Sequence, residues 1–414
     1  MRQYNIVDLF AGCGGLLDGF LQTGKYNEIA SVEWMKPQVN TLIHRLETKW
    51  DVKDAKERVL HFDMQREEEL FHGWNDDEKY GSNKGLDYYV NKAGNIDIII
   101  GGPPCQAYSL AGRVRDDNNM RSDYRNYLFE RYLSVVERYQ PKVFVFENVP
   151  GMLSSMPDGT PITDLIREGF HSIGYDIVDD IKKYALLNVS DYGVPQNRKR
   201  VILVGVNKNY YSNSHEILKN FYDNILTKQK IEKKTTLFEA IGDLPPCIPI
   251  FEEKARTKKL SHIAPLCEVS WHKPRYHNLR DMKIFQMLAE DIQSGKCEFT
   301  DSKKLSELYE KEVGSKSPIH RYHVLRPDVP GTTIIAHLYK DGLRYIHYDP
   351  NQARSITVRE AARIQSFDDD FDFKGTQGHA YQMIGNAVPP KFAESLGHAI
   401  DELMVSITEE VVTA

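Results

Sequence analysis

Five cysteines stand in the chain, and one of them, Cys105, follows two glycines and two prolines in the run GGPPCQ (101–106). Such a run forces an abrupt turn. It comes directly after IDIII (96–100), which reads as a buried strand. A thiol on a rigid turn at a strand's end is placed to be a nucleophile, once its proton is removed or its free pKa of about 8.5 is lowered. A lone cysteine is more often a small buried hydrophobe, so the thiol alone decides nothing. Glu147 ends the strand-like run KVFVFENV (142–149), where a carboxylate facing the same crevice can serve as acid or hydrogen-bond partner. QNRKR (196–200) leads into RVILVGV (200–206). Alternation puts Arg198 and Arg200 on one face, suited to orienting a carboxylate or gripping phosphate, although ordinary surface charge has the same composition.

A second constellation is suited to holding a ligand. DLFAGCGG (8–15) follows a strand and opens a helix, and its glycines let backbone approach a bound group closely. An acid about 20 residues on, at the end of the next strand, commonly holds a ribose hydroxyl. Glu33 stands there, followed by Trp34, whose flat ring can pack on a purine, and Asp63 ends a third strand. The set predicts a nucleoside-containing cofactor; a tight strand–helix turn without a ligand is the bland alternative.

These residues need elements to position them. NIVDLF (5–10), EIASVEW (28–34), VLHFDM (59–64), IDIII, KVFVFENV and RVILVGV read as strands. Between them Val39, Leu42, Ile43 and Leu46 recur with helical spacing, and 127–139 is helical in pattern. Strands alternating with helices predict an α/β fold with a parallel, doubly wound sheet. After Val206 the pattern changes to Lys-, Glu- and Asn-rich sequence with helices near 278–294 and 302–313. HVLRPDVPGTTIIAHLY (323–339) reads as extended, 355–367 contains a helix, and 384–407 is a loop opening a long helix. The expected division is a first domain over 1–206, completed by 376–414, and a smaller one over 207–375.

The 414 residues suit two domains, and 41% hydrophobic with 27% charged residues is a globular balance. No apolar run reaches the ~18 residues of a membrane span, and the N-terminus lacks a signal peptide's features, so no membrane association and a cytoplasmic location are expected. An odd number of widely spaced cysteines argues for reduced thiols. The net charge of −6 argues against a protein that merely coats nucleic acid, but leaves room for a local basic cleft. Lys254, Arg256, Lys258, Lys259, Lys273, Arg275, Arg280 and Lys283 crowd one stretch. His262, Cys267, His272 and His277 recur at intervals of five, which differs from common zinc spacing; no metal is expected, and the question of one at these four stays open.

Taken together the motifs resemble one family, the DNA (cytosine-5) methyltransferases of bacterial restriction-modification type. The matches are FAGCGG, EW (33–34), GGPPCQAYS (101–109), FENV (146–149), QNRKR, RSITVREAARIQSF (354–367) and IGNAVPP (384–390), in the family's order and spanning nearly the whole chain. Tyr108 replaces the family's usual Phe, and Asp368 stands where Pro is common. The resemblance implies a Rossmann-like S-adenosylmethionine-dependent methyltransferase domain and a smaller domain holding the target-recognition region, about 207–330. It implies that Asp8, Phe10, Gly12, Gly14, Glu33, Trp34, Asp63, Met64, Pro104, Leu128, Asn386 and Val388 hold S-adenosylmethionine and its product S-adenosylhomocysteine. Cys105 would attack cytosine C6, Glu147 would contact N3 and the exocyclic amine, and Arg200, less directly Arg198, would orient both. Gln106, Ser109 and Arg125 fall in a loop that would close on DNA. Arg359 and Glu360 would be architectural.

The implied chemistry needs these groups. Cytosine C5 is too weak a nucleophile until a thiolate adds at C6, and a base attacked above and below its ring must be flipped from the stack. Double-stranded DNA is the implied partner, a restriction endonuclease acting on the same site is a second unless the enzyme is an orphan methylase, and a monomer is expected. An RNA (tRNA) cytosine-5 methyltransferase is the alternative; the tRNA-modifying relatives carry a C-F-T signature that this chain lacks in that region.

Overall fold

The computed structural model describes residues 3–103, 127–156, 159–211, 213–252, 260–314 and 322–413. They fall into two compact units, one of 1–192, 199–232 and 387–414, the other of 193–198 and 233–386. Residues 207–232 thus pack with the first unit and 376–386 with the second, the reverse of the division read from sequence.

The first unit is built on a sheet. Its strands are β1 (Tyr4–Leu9), β2 (Tyr26–Glu33), β3 (Val59–His61), β4 (Ile98–Gly101), β5 (Val143–Asn148), β6 (Tyr175–Asp176), β7 (Leu186–Asn188) and β8 (Lys199–Asn207). The order is β3-β2-β1-β4-β5-β8-β6, with β7 also on β8. β3, β2, β1, β4 and β5 are mutually parallel. β8 runs antiparallel to β5, β6 and β7, so the sheet is mixed where alternation had suggested parallel strands throughout. The continuous apolar runs Ile98–Ile100, Val143–Phe146 and Val201–Leu203 are almost wholly buried, as strands covered on both faces must be.

Helices close the crossovers. α1 (Gly15–Gln22) follows β1, α2 (Lys36–Lys49) follows β2, α3 (Tyr127–Tyr139) precedes β5 and α4 (Ile162–Ser172) follows it. The chain returns to this unit at its end, where α10 (Pro390–Thr413) packs on α1 and the Tyr26 hydroxyl donates to Gly397 O at 2.6 Å.

The second unit is mostly helical. α5 (Leu237–Ile241), α6 (Leu279–Gln293), α7 (Ser302–Val313), α8 (Val358–Ile364) and α9 (Gln377–Asn386) are its main helices. Sequence sets their starts: Thr236, Asn278, Asp301 and Thr357 each accept a first-turn backbone N–H, and Thr236 and Thr357 form capping boxes with Glu239 and Glu360. Ile284, Phe285, Leu288, Leu305, Leu308 and Tyr322 form a buried core. Short ladders pair 196–197 with 331–332 and 248–249 with 262–263.

Candidate active site

Because β1, β2, β4 and β5 are parallel, their C-terminal ends share one edge of the sheet. β1 and β4 are neighbours, with Leu9 opposite Gly101, yet the chain winds away from them in opposite directions. This is the switch point where open α/β sheets bind ligands. The loop 10–14 leaves one side of it and Gly102–Pro103 the other.

Glu33 shapes the β1 side. It is 8% exposed, and its carboxylate accepts the N–H of Gly12 at 2.9 Å and of Met35 at 2.8 Å. Burial pushes its pKa up, against the lowering effect of those bonds. The loop it holds is unusual: Phe10, Gly12 and Gly14 all have positive φ. At Gly12 a Cβ would meet nothing within 4 Å, so space for a ligand lies open beside the backbone. Asp8, 1% exposed, leaves Oδ2 without a hydrogen-bond partner. Burial, with Glu28 and Glu33 nearby, holds its pKa well above the usual carboxylate range. An orphaned buried acid, an open glycine cradle and Trp34, 47% exposed, are what a cationic nucleoside ligand requires of its site. Met64, Leu128 and Val388 are buried; Asp63 is half-buried and accepts the N–H of Gln65 at 3.0 Å. Asn386 is exposed and belongs to the second unit.

Glu147 is built into the next strand end. It pairs with Ile202 across β5 and β8, so Arg200, two residues along, shares its face as a diagonal neighbour. Arg200 Nε lies 2.8 Å from Glu147 Oε1, and both side chains are only 11–12% exposed. Burial lowers the Arg200 pKa, and Glu147 opposes that shift. On its other side Glu147 fills the space that a side chain at position 102 would need: a Cβ at Gly102 would lie 2.6 Å from Oε2. Asn148 Nδ2 donates to Pro103 O at 3.3 Å. Sequence reading gave Asn148 no role, although the run E-N-V pointed to it.

Arg198 does not share the face of Arg200. It falls between the 196–197 ladder and β8, where alternation no longer applies. It is fully buried and donates to Ile334 O at 2.6 Å and Gly385 O at 2.9 Å, within the second unit. Gln196 does similar work, accepting from Ile334 N and donating to Gln365 Oε1.

Pro104, Cys105, Gln106, Ser109 and Arg125 lie outside the described residues, as do Tyr108, Lys254, Arg256, Lys258 and Lys259. Among the described residues no group of three or more His, Cys, Asp or Glu is placed to hold a metal ion. His262 donates to Gln352 O at 2.8 Å, His272 meets Pro245 O and Thr357 Oγ1, and His277 accepts from Ser355 N. Cys267 is exposed, its thiol 3.6 Å from Val269 O. Arg275 is spent on Leu338 O and the Tyr381 ring. Arg359 donates to Ser270, Asp368 and Phe371, and Glu360 pairs with Arg354, so both are structural as expected. No helix among the described residues is long and apolar enough to cross a membrane.

A mixed sheet with a glycine loop open at its switch point, an acid–arginine pair at the adjoining strand end and a Gly-Pro segment beside them define a class. Residues 4–402 match the C-5 cytosine-specific DNA methylase family, and the chain belongs to that family of DNA-modifying enzymes. It is 32% identical to the type II methyltransferase M.Bpa9945I of Bacillus paralicheniformis, over 96% of this chain and 99% of that one. It is 30% identical to M.DdeI of Desulfomicrobium norvegicum, over 96% and 88% of the two chains. Among solved structures it is similar to a candidate DNA modification methyltransferase encoded within an E. coli prophage, with 25% identity, a TM-score of 0.61 and 97% and 99% of the chains covered. The Dnmt2 methyltransferase of S. pombe shares the fold at 12% identity and a TM-score of 0.54, over 98% and 99% of the chains.

Proposed function

We propose that this DNA (cytosine-5) methyltransferase uses S-adenosylmethionine and covalent catalysis by Cys105 on a cytosine flipped from duplex DNA. The observation that carries the reading is the fixed carboxylate: Arg200 holds Glu147 against Gly102, three residues before Cys105, while Asn148 tethers the intervening Pro103. In sequence, the thiol of the GGPPCQ run follows that tethered proline by two residues.

Asp8, Phe10, Gly12, Gly14, Glu33, Trp34, Asp63, Met64, Leu128 and Val388 would hold the cofactor, joined by Pro104 and Asn386. Bound there, S-adenosylmethionine supplies the methyl group that C5 takes. The chain's own work comes before and after. The Cys105 thiolate forms a bond to C6, and the electron pair displaced from the C5–C6 double bond moves into the ring. Glu147, through a proton or hydrogen bond at N3, spreads that charge and leaves C5 enamine-like. After methylation a base takes the C5 proton, the C5–C6 double bond re-forms and the thiolate leaves. Arg200 keeps Glu147 aimed. Arg198 acts at a remove, as a strut of the second unit. Gln106, Ser109 and Arg125 would approach DNA from the loop around Cys105 and help exclude water.

The same reading makes the 207–330 region the reader of sequence, through phosphate and base contacts. Names of relatives as type II methyltransferases support a modification role. An endonuclease cutting the same site would be its partner, and the methyltransferase would act as a monomer. Transfer of tritiated methyl groups tests the substrate: incorporation into duplex DNA with none into tRNA is expected, and the converse would favour an RNA enzyme. Cys105→Ser should bind cofactor and transfer nothing; substantial turnover by it would remove the nucleophile.

A further inference from the structure

Beside the cofactor crevice stands a β-hairpin, Trp74–Asp77 paired with Gly81–Asn83. Its neck is closed by backbone alone. A Cβ on Gly85 would lie 2.4 Å from Gly73 N and 2.5 Å from Phe71 O, one on Gly73 would lie 2.7 Å from Asn83 O, and both residues have positive φ. Only glycine satisfies both demands. Above the neck Trp74 stacks on Phe62 at 3.8 Å, and Arg66 pairs with Asp77 at 2.6 Å while lying over the Phe62 ring. The hairpin is thereby locked to the residues that follow β3.

Its tip returns to the crevice. Tyr80 sets its ring edge-on to His61 at 5.0 Å and to Phe62 at 5.1 Å. His61 Nε2 donates to Trp34 O at 3.0 Å, which pins the backbone of Trp34. Lys79 Nζ donates to the Tyr80 hydroxyl at 2.8 Å and lies 5.9 Å from the Trp34 ring centroid. Asp63 is close enough for its charge to act on Lys79. One chain of contacts, His61–Tyr80–Lys79, therefore constrains Trp34 at both backbone and ring. An ammonium over an indole is attracted by the ring's negative face.

We propose that this hairpin is a second wall of the nucleoside end of the cofactor site, and that Lys79 is a positioning residue that sets the Trp34 indole for stacking on the purine. The proposal rests on the reading that Trp34 and Asp63 border the purine. Lys79 acts through Trp34 and does not touch the reacting atoms, so it affects binding and not chemistry.

Calorimetric titration with S-adenosylhomocysteine and steady-state kinetics test this. Lys79→Ala should weaken binding about threefold, the size of an exposed cation–π contact, and raise KM for S-adenosylmethionine equally, with kcat and Tm unchanged. Lys79→Arg should restore both. Trp34→Ala should weaken binding more, and adding Lys79→Ala to it should have no further effect. Wild-type affinity in Lys79→Ala, with Trp34→Ala impaired, would overturn the inference and leave the site reading intact. Wild-type affinity in Trp34→Ala would overturn both. Additive effects in the double variant would show Lys79 acting independently of Trp34, against the proposal.

Discussion

Arg200 meets one carboxylate oxygen of Glu147, and the other lies where a side chain at position 102 would reach. Arg200→Met removes the counter-charge and the constraint together. It should lower kcat between about tenfold and a hundredfold, as misplacing a reacting group does, while S-adenosylhomocysteine affinity by calorimetry stays unchanged. Gly102→Ala separates activity from stability. The new methyl group meets only the end of a flexible side chain, so Tm should hold, but the displaced end is the carboxylate itself, so methylation should fall. A lost Tm with retained activity would contradict that geometry. Glu147 and Arg200 were legible in sequence because motif spacing places them at strand ends. Arg198 was misplaced because alternation was carried one step past the start of β8. Gly102 and Asn148 gave a composition but no direction.

The helix α8 and its flanks show how a motif can serve structure. Arg354 donates to Glu360 at 2.6 and 2.7 Å, Glu360 also caps the helix with Thr357, and Arg354 and Glu360 are each 1% exposed. Burial disfavours the charged carboxylate, yet the Arg354 guanidinium overrides it and holds the Glu360 pKa well below the usual range. Glu360→Gln leaves a buried guanidinium uncompensated and should cost roughly 3–5 kcal/mol, read as a fall in denaturant midpoint. Burial also keeps His262 and His277 neutral, pushed down to about 4 and about 3. The unfolded chain binds those protons near pH ~6.5 while the folded one does not, so stability falls as pH drops from about 7 toward 4. Thermal unfolding across that range should show a falling Tm, and His277→Gln should flatten the slope; an unchanged slope would place the titration elsewhere. Helices with periodic faces were readable, α3 and α7 to the residue. The antiparallel course of β8 was not, because alternation marks a strand without its direction. The hairpin at 74–83 escaped notice because NDDEKYGSN has no apolar alternation; its cause lies in Gly73 and Gly85, which meet only in space.

On the proposed function, the chemistry and the choice of target would draw on different stretches of sequence. The first unit supplies the sheet, the crevice and the acid–arginine pair. The second is held, among the described residues, by capped helices and buried polar networks such as Gln196–Gln365 and Arg354–Glu360. Replacing 207–330 with the corresponding segment of a relative should change the methylated sequence seen by bisulfite sequencing of host DNA; an unchanged site would move target reading elsewhere. That region was the least legible, since base recognition depends on a few exposed side chains with no fixed spacing. A duplex carrying 5-fluorocytosine at the target tests the nucleophilic role of Cys105. Fluorine at C5 cannot leave as a proton does, so the thiol cannot be eliminated once the methyl group has been transferred. A protein–DNA adduct is expected that survives denaturation, requires S-adenosylmethionine, maps to Cys105 and is absent from Cys105→Ser. An adduct on another residue, or one formed by Cys105→Ser, would contradict it.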